Sequence, residues 1–96
     1  MTYEELLAIA RAHEGKTLET VAGRRFRVGI FRDSVVFTPE SSGYPQSDGR
    51  AAGEKFMERY NRTGSLHPGH YARVTRNASY YVGLLLADSD RGAGGE

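Results

Sequence analysis

The sequence predicts an α+β domain, a small antiparallel sheet packed against about three helices. Three observations carry that expectation. Residues 24–31 alternate, with Phe26, Val28 and Ile30 apolar and Arg25 and Arg27 between them, the period of a half-buried strand. The stretches 2–15, 50–61 and 78–88 instead repeat their apolar residues at helical spacing. A chain of 96 residues without internal repeats holds one domain, and its modest core must absorb most of the apolar side chains.

The first helix has a start and a stop. Thr2 is placed to cap it, Glu5 completes a capping box, and Gly15 is a natural terminator. Leu6, Ile9, Ala10 and His13 share one face, with Leu7 beside them. Residues 17–22 read as a short strand that Gly23 breaks. The alternating strand follows, then a turn at 32–34 and a returning strand at 35–38 that Pro39 ends. The sheet is thus a hairpin, or three strands if 17–22 joins it. A hairpin alone is marginal, so helices must cover its apolar face, leaving Arg25 and Arg27 on the other. Residues 40–49 are loop by composition, and Ser47 or Asp48 caps the next helix, where Ala52, Phe56 and Tyr60 line up. Thr75 or Asn77 caps the last helix, 78–88, which is apolar on most sides. The domain is expected to span 1–88, with a disordered tail at 89–96.

Composition excludes several classes. The chain lacks Cys, which removes disulfide frameworks and thiolate metal sites. It opens without a basic-then-apolar leader, and its longest apolar run, 80–87, is far too short for a bilayer. A cytoplasmic protein is expected. The net charge of +1 conceals an uneven distribution. Residues 1–22 carry four acids against two bases, whereas residues 23–76 carry ten bases, nearly all Arg, against five acids. Arg suits bidentate contact with phosphate, although an Arg-rich codon usage explains the same bias.

Catalytic patterns fail on inspection. "EGKT" at 14–17 lacks the glycine a phosphate loop needs, since Ala10 occupies that position. Glu14 and Lys16 give half of a nuclease carboxylate–lysine pattern, without the preceding strand Asp. His67 and His70 flank a Pro-Gly turn, but a metal needs a third ligand and nothing marks one. No nucleophile–base arrangement can be assembled. The expectation is therefore a non-catalytic protein without cofactor or metal.

Two features point to anion binding. The first turn of a helix presents free N–H groups and partial positive charge, and phosphate is its common occupant. Arg73, Arg76 and Asn77, with Thr75 and Ser79, surround the start of the last helix. The second feature is the strand face, where Arg24, Arg25, Arg27 and Arg32 fall within nine residues and can track a nucleic-acid backbone. Tyr44 is available for stacking.

Residues 64–85, "GSLHPGHYARVTRNASYYVGLL", also carry Pro68-Gly69, Tyr71, Val74-Thr75, Asn77 and Ser79-Tyr80 ahead of an apolar helix. This stretch resembles small bacterial modules found with restriction-type DNA-processing proteins, and the resemblance extends over 18–86. It implies a DNA-associated role and designates no catalytic residue. The expectation is a nucleic-acid-binding module, with DNA as the partner. Its site residues would be Arg25, Arg27, Arg32, Arg73, Arg76 and Asn77. No membrane or small-molecule partner is expected. The alternative is a protein-interaction or homodimerisation module that uses the apolar last helix.

Overall fold

The computed structural model describes residues 1–94, with side chains through Ser89. Helix α1 (Tyr3–Ala12) leads into strands β1 (Thr17–Glu19), β2 (Arg25–Phe31) and β3 (Ser34–Pro39). Helix α2 (Gly49–Thr63), a 3-10 turn at Pro68–Tyr71 and helix α3 (Ala78–Gly94) complete the order. The fold is the α+β class expected. The strands form an antiparallel meander in the order β1-β2-β3. Against its inner face, α3 lies on β1, α1 on β2 and α2 on β3.

Local chemistry sets the boundaries. Both arms of the capping box form at the start of α1: the Glu5 N–H donates to Thr2 Oγ1 and the Thr2 N–H to Glu5 Oε1, each at 3.1 Å. The strand expected at 17–22 exists but stops at Glu19. Thr20 turns the chain, its N–H donating to the Arg24 carbonyl at 2.8 Å while its Oγ1 accepts the Arg24 N–H at 3.0 Å. β2 and β3 meet at a two-residue turn, Arg32-Asp33, in which Arg32 is left-handed at φ 59°. Beyond β3 the loop doubles back. The Phe37 N–H donates to the Gln46 carbonyl at 2.9 Å, and the Gln46 N–H returns a bond to Phe37 at 2.7 Å. α3 extends past the expected end at 88, so the tail expected at 89–96 begins within that helix; residues 95–96 lie outside the described ones.

The inner face of the sheet is Leu18, Phe26, Val28, Val35 and Phe37, all buried. Phe37 meets Tyr81 edge-on at 4.8 Å between ring centroids, and Tyr81 stacks on Phe56 at 4.7 Å. Phe56 in turn lies 4.3 Å from Tyr71. This aromatic chain ties the sheet to α2, to the 3-10 turn and to α3, and such ring pairs add to the area they bury. Gly83 lets α3 approach the sheet: a Cβ there would sit 2.9 Å from the Glu19 carbonyl oxygen and 3.0 Å from a Phe26 ring carbon. Each single cross-element hydrogen bond, such as the Tyr3 hydroxyl donating to the Asp33 carbonyl at 2.7 Å, contributes about 1 kcal/mol.

Candidate nucleic-acid interface

The alternation in β2 places Arg25 and Arg27 on the open outer face, both exposed. Register fixes their neighbours. Arg25 lies opposite Glu19, and Arg27 lies between Thr17 and Thr38. The Arg25 Nε is 3.9 Å from Glu19 Oε1 with both side chains about 60% exposed (62% and 61%), a pairing worth little in water. Arg24, Arg27, Arg32, Arg73 and Arg76 form no ion pair with a described carboxylate. The acidic first helix instead engages Arg50, whose guanidinium reaches Glu4 at 2.9 Å, Glu54 at 3.2 Å and Asp33 at 3.6 Å. The hydrogen bonds to Glu4 first and then to Glu54 hold the Arg50 guanidinium above its ordinary pKa.

The expected site residues do not all share one surface. Arg32 occupies the hairpin tip, at the far end of β2 from Arg25. Arg73 and Arg76 diverge from each other. Arg73 lines a groove along α2 with Lys55, Arg59 and Arg62, and Glu58 is the acid among them. Arg76 turns toward the β1–β2 turn, where it meets Arg24 across a hollow of about 360 Å³ that Thr20, Gln46, Ser79 and Tyr80 also line. A larger adjoining hollow, about 690 Å³, is bounded by Arg24, Arg25, Tyr80 and the start of the β3–α2 loop, with Glu40 on its rim. Arg24 and Tyr80 belong to both hollows, so Arg24, Arg25 and Arg76 gather around one end of the sheet.

Asn77 departs from its expected role. Its side chain is buried at 1% exposure, so no outside phosphate reaches it. It occupies the N-cap position through its backbone: its carbonyl accepts the N–H groups of Tyr80 at 3.0 Å and Tyr81 at 3.1 Å, and its own N–H donates to Thr75 Oγ1 at 3.0 Å. The Thr75 hydroxyl donates to Asp48 Oδ2, which draws the start of α2 onto the start of α3. The negative charge of Asp48 adds to burial in pushing the Tyr81 phenol well above its ordinary pKa, with burial the larger cause. Three of the eight residues that carry the resemblance to DNA-processing modules are buried in the same way. Tyr71, Thr75 and Asn77 are at 0%, 4% and 1% exposure. Tyr71 anchors the 3-10 turn further by donating from its hydroxyl to the Ser65 carbonyl at 2.6 Å.

The apolar last helix is consumed by the core. Tyr81, Val82 and Leu84 are at 1% exposure or less, so its described side chains offer no free apolar stripe for the homodimer alternative. The exposed large apolar side chains are elsewhere, at Met1, Val21, Phe31, Tyr44 and Leu66. His67 and His70 stack at 4.8 Å on the surface, and Ser65 Oγ lies 2.6 Å from His70 Nδ1. Among the described residues no three His, Cys, Asp or Glu side chains gather to hold a metal ion. No described helix is long and apolar enough to cross a membrane. His13 is buried and its Nε2 lies 3.3 Å from Asp88 Oδ1, joining α1 to α3.

Sequence reasoning missed Arg24, Tyr80, Thr20 and Gln46 as partners of Arg76. Only the antiparallel turn at 20–24 and the return of the loop to Phe37 bring them there. Phe31 is legible in the sequence: it has the same strand parity as Arg25 and Arg27, which assigns it to the outer face. No family model, curated protein or solved structure matches the chain.

Proposed function

We propose that the domain is a non-catalytic nucleic-acid-binding module that grips the phosphate backbone. The observation that carries this reading is the gathering of Arg24, Arg25 and Arg76 around two adjoining hollows that share Tyr80. Two of these arginines have no described carboxylate partner, and the third has a weak one. Guanidinium groups left unpaired beside a concave surface are suited to phosphate, which they bind bidentately. Arg27 prolongs the same basic track along β2. Ser79, in the first turn of α3, adds a hydroxyl beside Arg76. DNA is favoured as the partner by the resemblance of residues 64–85 alone.

Contacts of this kind position a ligand without reading its sequence. Binding then depends strongly on salt, and with three to four phosphate contacts log Kd rises with log salt at a slope of about 2–4. Fluorescence anisotropy of labelled oligonucleotides across a salt series measures that slope. Replacing Arg24, Arg25 or Arg76 by Ala lowers the slope by about one each. The reading fails if no DNA or RNA binds at low salt, or if the triple variant binds like the wild type.

A further inference from the structure

The domain has four Phe residues. Phe26, Phe37 and Phe56 are at 0% exposure, whereas Phe31 is 66% exposed. Phe31 stands on the outer face of the central strand, in line with Arg25 and Arg27. Between Arg27 and Phe31 lies Gly29. A Cβ there would meet nothing within 4 Å, and its backbone is not left-handed, so neither packing nor conformation requires a glycine. Its effect is to leave the strand bare beside the ring. A shallow apolar hollow of about 410 Å³ opens at the same place, lined by Gly29, Ile30, Phe31, Val36, Pro45 and Ser47. The Arg32 guanidinium lies 5.3 Å from the centre of the Phe31 ring.

We infer that the ligand is single-stranded nucleic acid, with an unpaired base stacked on Phe31 while Arg25 and Arg27 follow its phosphates along β2. This rests on the nucleic-acid reading above and narrows it. A base in a duplex already has neighbours on both its faces, so an aromatic ring on a flat sheet gains nothing from it. An unpaired base exposes its π-face, and aromatic stacking of this kind is sequence-tolerant. The distance suits an extended strand, because six steps of β2 separate Arg25 from Phe31, about 20 Å. Charge favours this occupant over a second copy of the chain. A two-fold pairing through the same face would bring Arg25, Arg27 and Arg32 of both copies into one interface, where the described acids on that face are Glu19 and Glu40, both beside Arg25.

The test compares three labelled probes by anisotropy at low salt: an oligothymidylate, an abasic strand of equal length, and a duplex. The oligothymidylate binds most tightly. Phe31→Ala weakens it about 5- to 150-fold, the range of one lost base–aromatic stack, and leaves the abasic strand unchanged. Phe31→Trp restores binding. Gly29→Val, whose Cβ would meet nothing within 4 Å, also weakens the oligothymidylate without lowering the melting temperature. The inference is overturned if Phe31→Ala binds oligothymidylate like the wild type, or if the duplex binds as tightly as the single strand. It is also overturned if light scattering finds a dimer that Phe31→Ala disperses, because the face then belongs to a second copy. Absence of binding to all three probes removes the nucleic-acid reading itself.

Discussion

Arg32 turns the β2–β3 hairpin with φ at 59°, a conformation that glycine adopts freely and a residue with a Cβ resists. The cost is about 1 kcal/mol, and it is borne at the tip of the strand that carries Arg25, Arg27 and Phe31. Strain retained at such a point is consistent with selection for the side chain rather than for the turn. Arg32→Gly is therefore expected to raise stability by about 1 kcal/mol, read as a rise of several degrees in melting temperature. A fall in melting temperature would show that the guanidinium over Phe31 outweighs the strain. Single residues also mark where sequence reading ran out. Strand parity assigned Arg25 and Arg27 correctly because it needs only the neighbouring residues. Asn77 was misassigned because burial depends on what folds over it, here the contact that Thr75 makes with Asp48 from a remote segment.

Elements were legible where their ends are made locally. The capping box of α1 uses Thr2 and Glu5 alone, so the spacing sufficed to find it. The left-handed Gly64 closes α2 by donating to the Tyr60 carbonyl at 2.7 Å, again within one turn. The start of α2 was legible in position but not in chemistry. Asp48 stands at the N-cap, yet its side chain makes no capping bond, and its Oδ2 accepts from Thr75 instead. How closely elements pack was not legible at all. Gly83 is the clearest case, since helical propensity alone would favour Ala at that position. Gly83→Ala is expected to destabilise the domain by about 1–3 kcal/mol, because the new methyl group meets the β1 backbone, which cannot swing aside. Chemical denaturation measures this. An unchanged or raised midpoint would mean that α3 can shift off β1 without loss.

At the scale of the whole molecule, buried phenols are expected to set the alkaline limit. Burial raises Tyr81 far above its ordinary value of 10.0 and, with Asp48 adding to the effect, keeps it protonated in the folded state. Burial also raises Tyr3. The unfolded chain ionises these phenols near pH 10, so stability is full below that pH and drains away as pH rises toward the folded values. Tyr81→Phe is expected to flatten this loss, seen as a higher midpoint in alkaline unfolding followed by circular dichroism. The same midpoint in both proteins would assign alkaline unfolding to other groups. The meeting of Arg24 with Arg76 is likewise a property of the whole fold, and no local pattern in the chain announces it.

A sheet of three strands has two rims, and either can recruit a stray strand from another molecule. On one side β1 offers only Thr17–Glu19, too short a template to hold a partner. On the other, Gln46 already occupies both backbone groups of Phe37, and Pro39 has no N–H to give. The chain thus carries its own stopper against fibril growth, and the stopper belongs to a surface loop, the kind of segment that tolerates insertion and deletion most readily.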